Sequence, residues 1–419
     1  MGATPAPSQN RWDLQANPLR ADIKLLFLSA LIVFIVTVAI GLLNGQHIVT
    51  LSSDVILTHV HAGTLGWITL SVFAFGFWIF GNGGIVEQQN TYIRVLSIVS
   101  AIAIPLYVIS FFLGIAIIRA VISVPVLLAM VGILAWIIAR STKVRLTVAH
   151  IAMLESIVTL IIGAILGVLI QIQTAAGTVF LPDGVMSAHP ATMVAGYLIL
   201  IGMGLSEWRL MPASGRLSRF GVVQVTLLFL AGIVLMIAAL LNIPPLYGLN
   251  ALLEVVGVII FIIRFAPRVI HVNWTGGRDS TRFFAISACF VVVNAAMTIY
   301  LTVSLVTGAF PNGNIPSGLL IALDHATFIG VMTNALFGLI QDATQEQRSF
   351  WPWAEDILFW GMNFGALGFI ITLLTGTTML ERVFTPIMGL SILLGIATYS
   401  LRLRRPPAIE QAGVSISQP

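Results

Sequence analysis

The chain has 419 residues, of which 58% are hydrophobic and only 9% are charged. Soluble domains carry about 25% charged residues, so this composition excludes an ordinary soluble protein and indicates an integral membrane protein in contact with lipid. The net charge of +4 comes from basic residues scattered over short connections, which argues against nucleic acid as a partner. The single cysteine, Cys289, excludes an intrachain disulfide and an iron–sulfur cluster.

Twelve apolar runs, each long enough to cross a membrane as a helix, follow one another along the chain. About 20 residues suffice for one crossing, and β-barrel strands would show short alternating segments instead. The sequence predicts an all-α polytopic protein with an arm at 1–21, a membrane domain at 22–403 and a tail at 404–419. No small-residue cleavage site follows the first run, so we expect it to be retained. The predicted spans are 22–44, 55–81, 92–114, 117–139, 146–172, 186–206, 219–241, 246–266, 281–305, 317–340, 355–376 and 384–403.

Basic residues indicate the orientation of these spans. Of the 20 Lys and Arg residues, 18 fall in the arm, the even-numbered connections and the tail or at the span ends next to them, whereas Arg119 and Arg382 fall on the opposite side. Because basic residues are enriched on the cytoplasmic side of membrane proteins, we expect both termini in the cytoplasm and the chain in the inner cell membrane.

Four of the seven histidines lie inside apolar spans, close to the face opposite the basic one. His59 and His61 are in the second span, His189 in the sixth and His325 in the tenth. Imidazole is costly in lipid, so a set at similar depth favours a buried cofactor over scattered packing. Similar phrases open at three of them, HAGTLG, HPATMVAG and HATFIG, and this recurrence indicates haem. The others are predicted to be surface or locally hydrogen-bonded residues: His47, His150 and His271.

The spacing of these phrases predicts an internal repeat. His61 and His189 are 128 residues apart, His189 and His325 are 136 apart, and each interval holds four helices. We expect a pseudo-threefold arrangement of three four-helix units, in which the second helix of each unit faces shared pores. Alternatively, the phrases reflect only the small residues that pack membrane helices closely. The predicted units are 22–139, 146–266 and 281–403.

Small residues and the H-x-H pair fit a haem site. Histidines two residues apart point about 200° apart around a helix, so His59 and His61 can face different pores and one helix can serve two sites. A porphyrin against a helix needs small residues around its ligand. Candidates for that role are Gly63, Gly66, Ala191, Gly196, Ala326 and Gly330.

On the residues H59-V-H61, H189-P190 and H325, the chain resembles the catalytic subunit of the haem-copper oxidase superfamily, and it is similar to the NnrS family of twelve-helix haem proteins. The resemblance implies a low-spin b-type haem between His325 and a histidine of the second helix. It also matches His189 to the copper-binding histidine of the oxidase HPEVY phrase.

The chain departs from the oxidase pattern in three places. Met193 stands where that phrase has tyrosine, the seventh helix has no adjacent histidine pair, and the tenth has one histidine. A copper site of three imidazoles is therefore not expected. Under the threefold relation the H-x-H moves to the second helix, with His61 or His59 paired to His325 and the other paired to His189. This predicts one or two b-type haems: either two bis-histidine haems, which carry electrons, or one bis-histidine haem and one open haem, which binds O₂ or NO.

Four other polar residues each have more than one possible role. Arg119 and Arg382 either meet haem propionates, which suit the guanidinium fork, or contact lipid headgroups. Glu254 is a candidate metal ligand or proton carrier, and Glu155 is a candidate for proton entry at the other face. Alternatively, each forms a hydrogen bond that holds neighbouring helices together.

The leading hypothesis is an oxidoreductase-like haem protein that handles electrons or a diatomic gas, O₂ or NO, with a quinol or a cytochrome as electron donor. One alternative is a non-enzymatic haem or NO sensor, or a haem-handling protein. Another is a secondary transporter, although transporters more often carry two repeats of six helices and place their substrate groups at the midplane.

Overall fold

The computed structural model describes residue 14 and residues 17–81, 87–212, 217–277, 279–310 and 314–405. In these residues it contains twelve helices that are long and apolar enough to cross a membrane, and no strand. The predicted all-α polytopic fold is confirmed, whereas most of the predicted arm and tail lies outside the described residues. The helices are α1 (Arg20–Gly45), α2 (Ser53–Gly81), α3 (Glu87–Phe112), α4 (Ala116–Ser141), α5 (Val148–Ala176), α6 (Val185–Leu210), α7 (Arg219–Leu241), α8 (Pro244–Val269), α9 (Thr281–Val306), α10 (Ser317–Ala343), α11 (Ala354–Thr375) and α12 (Thr378–Arg404).

Caps define several helix ends. The Ser52 hydroxyl accepts from the backbone N–H of Val55 at the start of α2, and Ser218 caps α7 in the same way. Helices α5 and α11 end at Gly177 and Gly376, whose φ angles of 65° and 69° lie in the left-handed region that suits glycine. Backbone N–H and C=O groups in a membrane must form their hydrogen bonds within the protein. Capped ends of this kind supply such bonds where a helix meets its connection.

Three helices form the interior of the bundle. The most apolar 18-residue stretch is 94% buried in α2, 67% in α10 and 61% in α6, against 56% or less in the other nine described spans. Around them, α1 contacts α2, α3 and α12, α5 contacts α4, α6 and α7, and α9 contacts α6, α8 and α10. The second helix of each four-helix unit is therefore internal, as the repeat predicts.

Direct contacts join the three inner helices at the centre. The Trp67 Nε1–H of α2 donates to Thr333 Oγ1 of α10 at 3.0 Å. The Tyr197 hydroxyl of α6 lies 3.2 Å from Thr69 Oγ1 of α2. These polar bonds are shielded from water and lipid, so they fix the rotation of each inner helix.

Each inner helix contains an eight-residue π-helical segment in its middle, at Ala62–Thr69, Thr192–Ile199 and Ala326–Thr333. Such wide turns are rare, and they are frequent at functional sites. The first begins directly after His61 and the third directly after His325, but the second begins after Ala191. Ala191 is therefore the structural counterpart of His61 and His325.

The glycines of these segments give the same register. Gly66, Gly196 and Gly330 each pack against the first helix of their own unit, where added Cβ atoms would lie 2.1 Å from a Val33 atom, 3.2 Å from Thr159 atoms and 2.3 Å from a Phe290 atom. They follow His61, Ala191 and His325 by five residues. The alignment of the His189 phrase with the other two is thus wrong by two residues, and His189 corresponds to His59.

We call the end of the bundle where α1 begins the arginine end, and the opposite end, where α2, α6 and α10 begin, the histidine end. Buried ion pairs lie at the arginine end. The Arg264 Nη2 lies 2.7 and 2.8 Å from the two Glu207 oxygens, and Arg264 Nη1 donates to Gln224 at 2.7 Å. Arg402 pairs with buried Glu355. The pairs join α6 to α8 and α11 to α12.

The Arg264 pair provides a stability test. Glu207→Ala leaves a guanidinium buried without its partner, which should lower the free energy of unfolding by about 3–5 kcal/mol. Lys143→Gln, at an exposed position of the same end, should change it by less than about 0.5 kcal/mol. Thermal unfolding in detergent measures both, and equal midpoints for the two variants would contradict the assignment.

Candidate functional site

The first pair of histidines is His59 on α2 and His325 on α10. The Nδ1 of His59 lies 2.8 Å from the backbone oxygen of Thr37 on α1, and the Nδ1 of His325 lies 2.8 Å from that of Ile321 in its own helix. A carbonyl only accepts, so in both rings Nδ1 carries a proton, and in the neutral ring Nε2 keeps its lone pair. The two rings line one cavity.

That cavity has a volume of about 610 Å³. Cofactor and small-molecule sites typically measure about 300–1,000 Å³. Its walls come from α1, α2, α10, α11 and α12, with small residues on several of them. The glycines of the lining are Gly41, Gly45, Gly63, Gly318, Gly376 and Gly389.

The second pair is His61 on α2 and His189 on α6, which lie near enough for a charge on one imidazole to act on the other. The Nδ1 of His61 lies 2.8 Å from the Leu57 backbone oxygen, and that of His189 lies 2.8 Å from the Gly163 backbone oxygen on α5. Both rings are thus held in the same tautomer as the first pair. Among the described residues, no hydrogen bond reaches Nε2 in any of the four.

One member of each pair packs against a phenylalanine of the following helix. His61 stacks on Phe111 of α3 with ring centroids 3.9 Å apart, and His325 meets Phe369 of α11 edge-on at 4.7 Å. Both bond the carbonyl four residues earlier in their own helix. His61 and His325 are therefore equivalent residues in equivalent surroundings.

The other member of each pair rests against a glycine of the preceding helix. A Cβ at Gly41 would lie 3.1 Å from the Cε1 of His59, and one at Gly167 would lie 2.9 Å from the Cε1 of His189. Each glycine stands four residues after the carbonyl that its histidine bonds. The second pair therefore repeats the first after a step of four helices, and α2 contributes to both.

The histidines form two pairs and no larger group. Among the described residues, no three or more His, Cys, Asp or Glu side chains lie together as a metal-binding group. Paired imidazoles are the arrangement found at the two axial positions of a haem.

The two arginines of the histidine end differ in their surroundings. Arg119 is only 8% exposed; its Nη1 lies 3.3 Å from Asp54 Oδ1, and its guanidinium lies 5.2 Å from the centroid of Phe111, beside the His61 ring. Arg382 is exposed, and its backbone oxygen accepts from the Gln46 side chain at 2.8 Å. It is absent from the cavity lining, so of the two only Arg119 adjoins a histidine pair.

Glu254 lies apart from the histidine pairs. It is 9% exposed and lines a second cavity, between α6 and α10, that none of the four histidines lines. Glu155 accepts from Thr226 at 2.8 Å.

The remaining histidines have local roles. His150 bonds Thr147 through Nδ1 and lies 3.1 Å from the Ile79 backbone oxygen through Nε2, so both ring nitrogens are occupied. His47 lies 3.2 Å from Glu381 at the rim of the large cavity. His271 is exposed. This is the pattern predicted for these three residues.

No family model matches the sequence, and no curated protein matches it.

Sequence reasoning missed the partners of the histidines. Phe111, Phe369 and the two carbonyls bonded on preceding helices, those of Thr37 and Gly163, carry no local motif. A signal was nevertheless present in Thr37/Gly41 and Gly163/Gly167, small residues four apart on the first helix of two units. Only the helix packing shows that they face histidines.

His150 provides a test that separates a structural histidine from the paired ones. His150→Ala removes a ring that bridges Thr147 and Ile79, so it should lower the free energy of unfolding by about 1–3 kcal/mol. The exposed control His271→Ala should leave the thermal midpoint unchanged. Stability unaffected by His150→Ala would contradict the structural role.

Proposed function

We propose that this chain is a b-type haem protein of the membrane, with one haem held axially by His59 and His325 and a second by His61 and His189. The observation that supports this most is the repeated pair: four imidazoles in the same tautomer, each with Nδ1 tied to a carbonyl. Haem-ligating histidines are commonly oriented by a hydrogen bond from their second nitrogen, which also raises ligand basicity.

The residues around the pairs fit this group. The large cavity offers space and small residues on the helices that carry ligands, and Arg119 provides a guanidinium for a propionate at the second pair. With one cysteine in the chain, attachment through two thioethers is excluded, which favours b-type haem. When bound, haem would supply one-electron chemistry between ferric and ferrous iron.

Two imidazoles per haem favour electron transfer over gas binding, because both axial positions are then filled. The shared helix α2 places one ligand of each pair two residues apart, so electrons could pass between the sites. Reduction of O₂ or NO would require one imidazole to leave, and the electron donor would be a quinol or a cytochrome. The chain would thus be similar to haem-copper oxidases and NnrS proteins in its haem ligation, without a three-imidazole copper centre.

The distribution of charges supports an inner-membrane location with the arginine end in the cytoplasm. The histidine pairs then lie in the outer half of the membrane. A secondary transporter is a weaker interpretation, because the inner helices are joined by buried hydrogen bonds at the centre and buried ion pairs join helices at the arginine end.

Ligand variants test the pairing. Purified protein should show the Soret and reduced bands of b-type haem and about two haem equivalents per chain. His325→Ala should remove about one equivalent and its low-spin signal, because it leaves the first iron with a single imidazole, and His189→Ala should do the same at the second site. Extracted haem and low-temperature electron paramagnetic resonance measure this.

His150→Ala is the control and should retain both haem signals. A colourless, folded wild-type preparation, or full haem content in both ligand variants, would overturn the proposal.

A further inference from the structure

A third space corresponds to the two histidine sites. The first pair lies between α10 and α2, and the second between α2 and α6. The same four-helix step leads to the space between α6 and α10, closed by α7, α8 and α9, which we call the third pore. It contains a cavity of about 260 Å³.

The third pore lacks the ligands of the other two. In the register of the inner helices, Ala191 takes the place of His61, and Leu323 takes the place of His59, two residues before His325. On α9, the positions equivalent to Thr37 and Gly41 are Asn294 and Thr298, and all four replacements line the cavity. Apolar groups thus stand at both ligand positions, so this pore is not a haem site.

Polar groups enter the third pore from α8 instead. Asn250 is 3% exposed and lines the cavity, and its Oδ1 has no hydrogen-bond partner. Glu254, one turn further along α8, is 9% exposed and lines the same wall, and Asp324 faces it from α10. The Asn294 amide is already used, since its Nδ2 donates to Leu323 O and Thr327 Oγ1 at 3.3 and 2.8 Å.

Acceptor oxygens of Asn250, Glu254 and Asp324 therefore predominate in the pore, and the Asn250 amide and the Thr298 hydroxyl are donors in the same lining. A buried acceptor without a partner costs free energy, so a ligand that brings donors is favoured. The rest of the lining is largely apolar, as in sites for organic molecules, and it is poorly suited to a hydrated ion. It includes Val194, Leu228, Ala231, Leu235 and Leu301.

We propose that the third pore binds the hydroxylated ring of a quinol-class molecule, whose O–H groups donate to Glu254 and to the Asn250 Oδ1. Pro190 and Leu320, both exposed, line the cavity at the starts of α6 and α10, so the ligand enters from the histidine end. Asp324 lines both this cavity and the large histidine cavity, which makes the two sites neighbours. That the ligand is an electron donor rests on the proposed haem, whereas its binding does not.

Direct binding tests the assignment. A short-tailed quinol, kept reduced, is titrated into the purified full chain in detergent and followed by calorimetry and thermal shift. Wild type should bind it, Glu254→Gln and Asn250→Leu should each weaken binding about tenfold, and Ala191→Phe, which fills the cavity, should abolish it. The control Glu155→Gln changes an intramembrane acid outside the cavity and should bind as wild type does.

The same titration on protein produced under haem starvation separates this proposal from the haem proposal. Quinol binding there, with the same variant pattern, supports the third pore whatever the haem content. Haem-loaded wild type that binds no quinol, equal binding by Ala191→Phe and wild type, or stabilisation by sodium or potassium ions in place of quinol would overturn it.

Discussion

The hydrogen bond from a histidine Nδ1 to a backbone carbonyl is the interaction on which the candidate sites depend. An imidazole inside a membrane must satisfy its polar atoms within the protein, and a carbonyl can only accept. The bond therefore fixes the orientation of the ring and the tautomer of its neutral form, in which Nε2 is the nitrogen without a proton. Because it recurs at His59, His61, His189 and His325, all four rings are held through the same nitrogen.

The helix arrangement produces this repetition. Three inner helices each carry a π-helical segment next to the histidine layer, and the first helix of each unit packs against a glycine of that segment. A π-helical segment changes the rotation of the residues that follow it about the helix axis. The histidines before the segment can therefore face the pores, while the part of the helix after it packs at the centre of the bundle. One structural unit, used three times, then gives two histidine pairs and one pore lined by acceptors.

Much of this could be predicted from the sequence, and the remainder depends on packing. Composition and apolar runs predict twelve helices because lipid imposes length and hydrophobicity on each of them. The H-x-H spacing predicts that α2 serves two sites, and the structure places His59 with His325 and His61 with His189. The alignment of the His189 phrase with the phrases at His61 and His325 was wrong by two residues. The correct register depends on the contact between Gly196 and Thr159, which forms only in the fold. The third pore could not be predicted, because Asn250, Glu254 and Asp324 share no motif and come together only in the folded bundle.

The most direct test of the account is to locate iron in the purified protein, by anomalous diffraction at the iron edge or by cryo-electron microscopy. We predict two irons, one between His59 and His325 and one between His61 and His189, with none between α6 and α10. A structure without iron at either pair, or with iron in the third pore, would contradict the account.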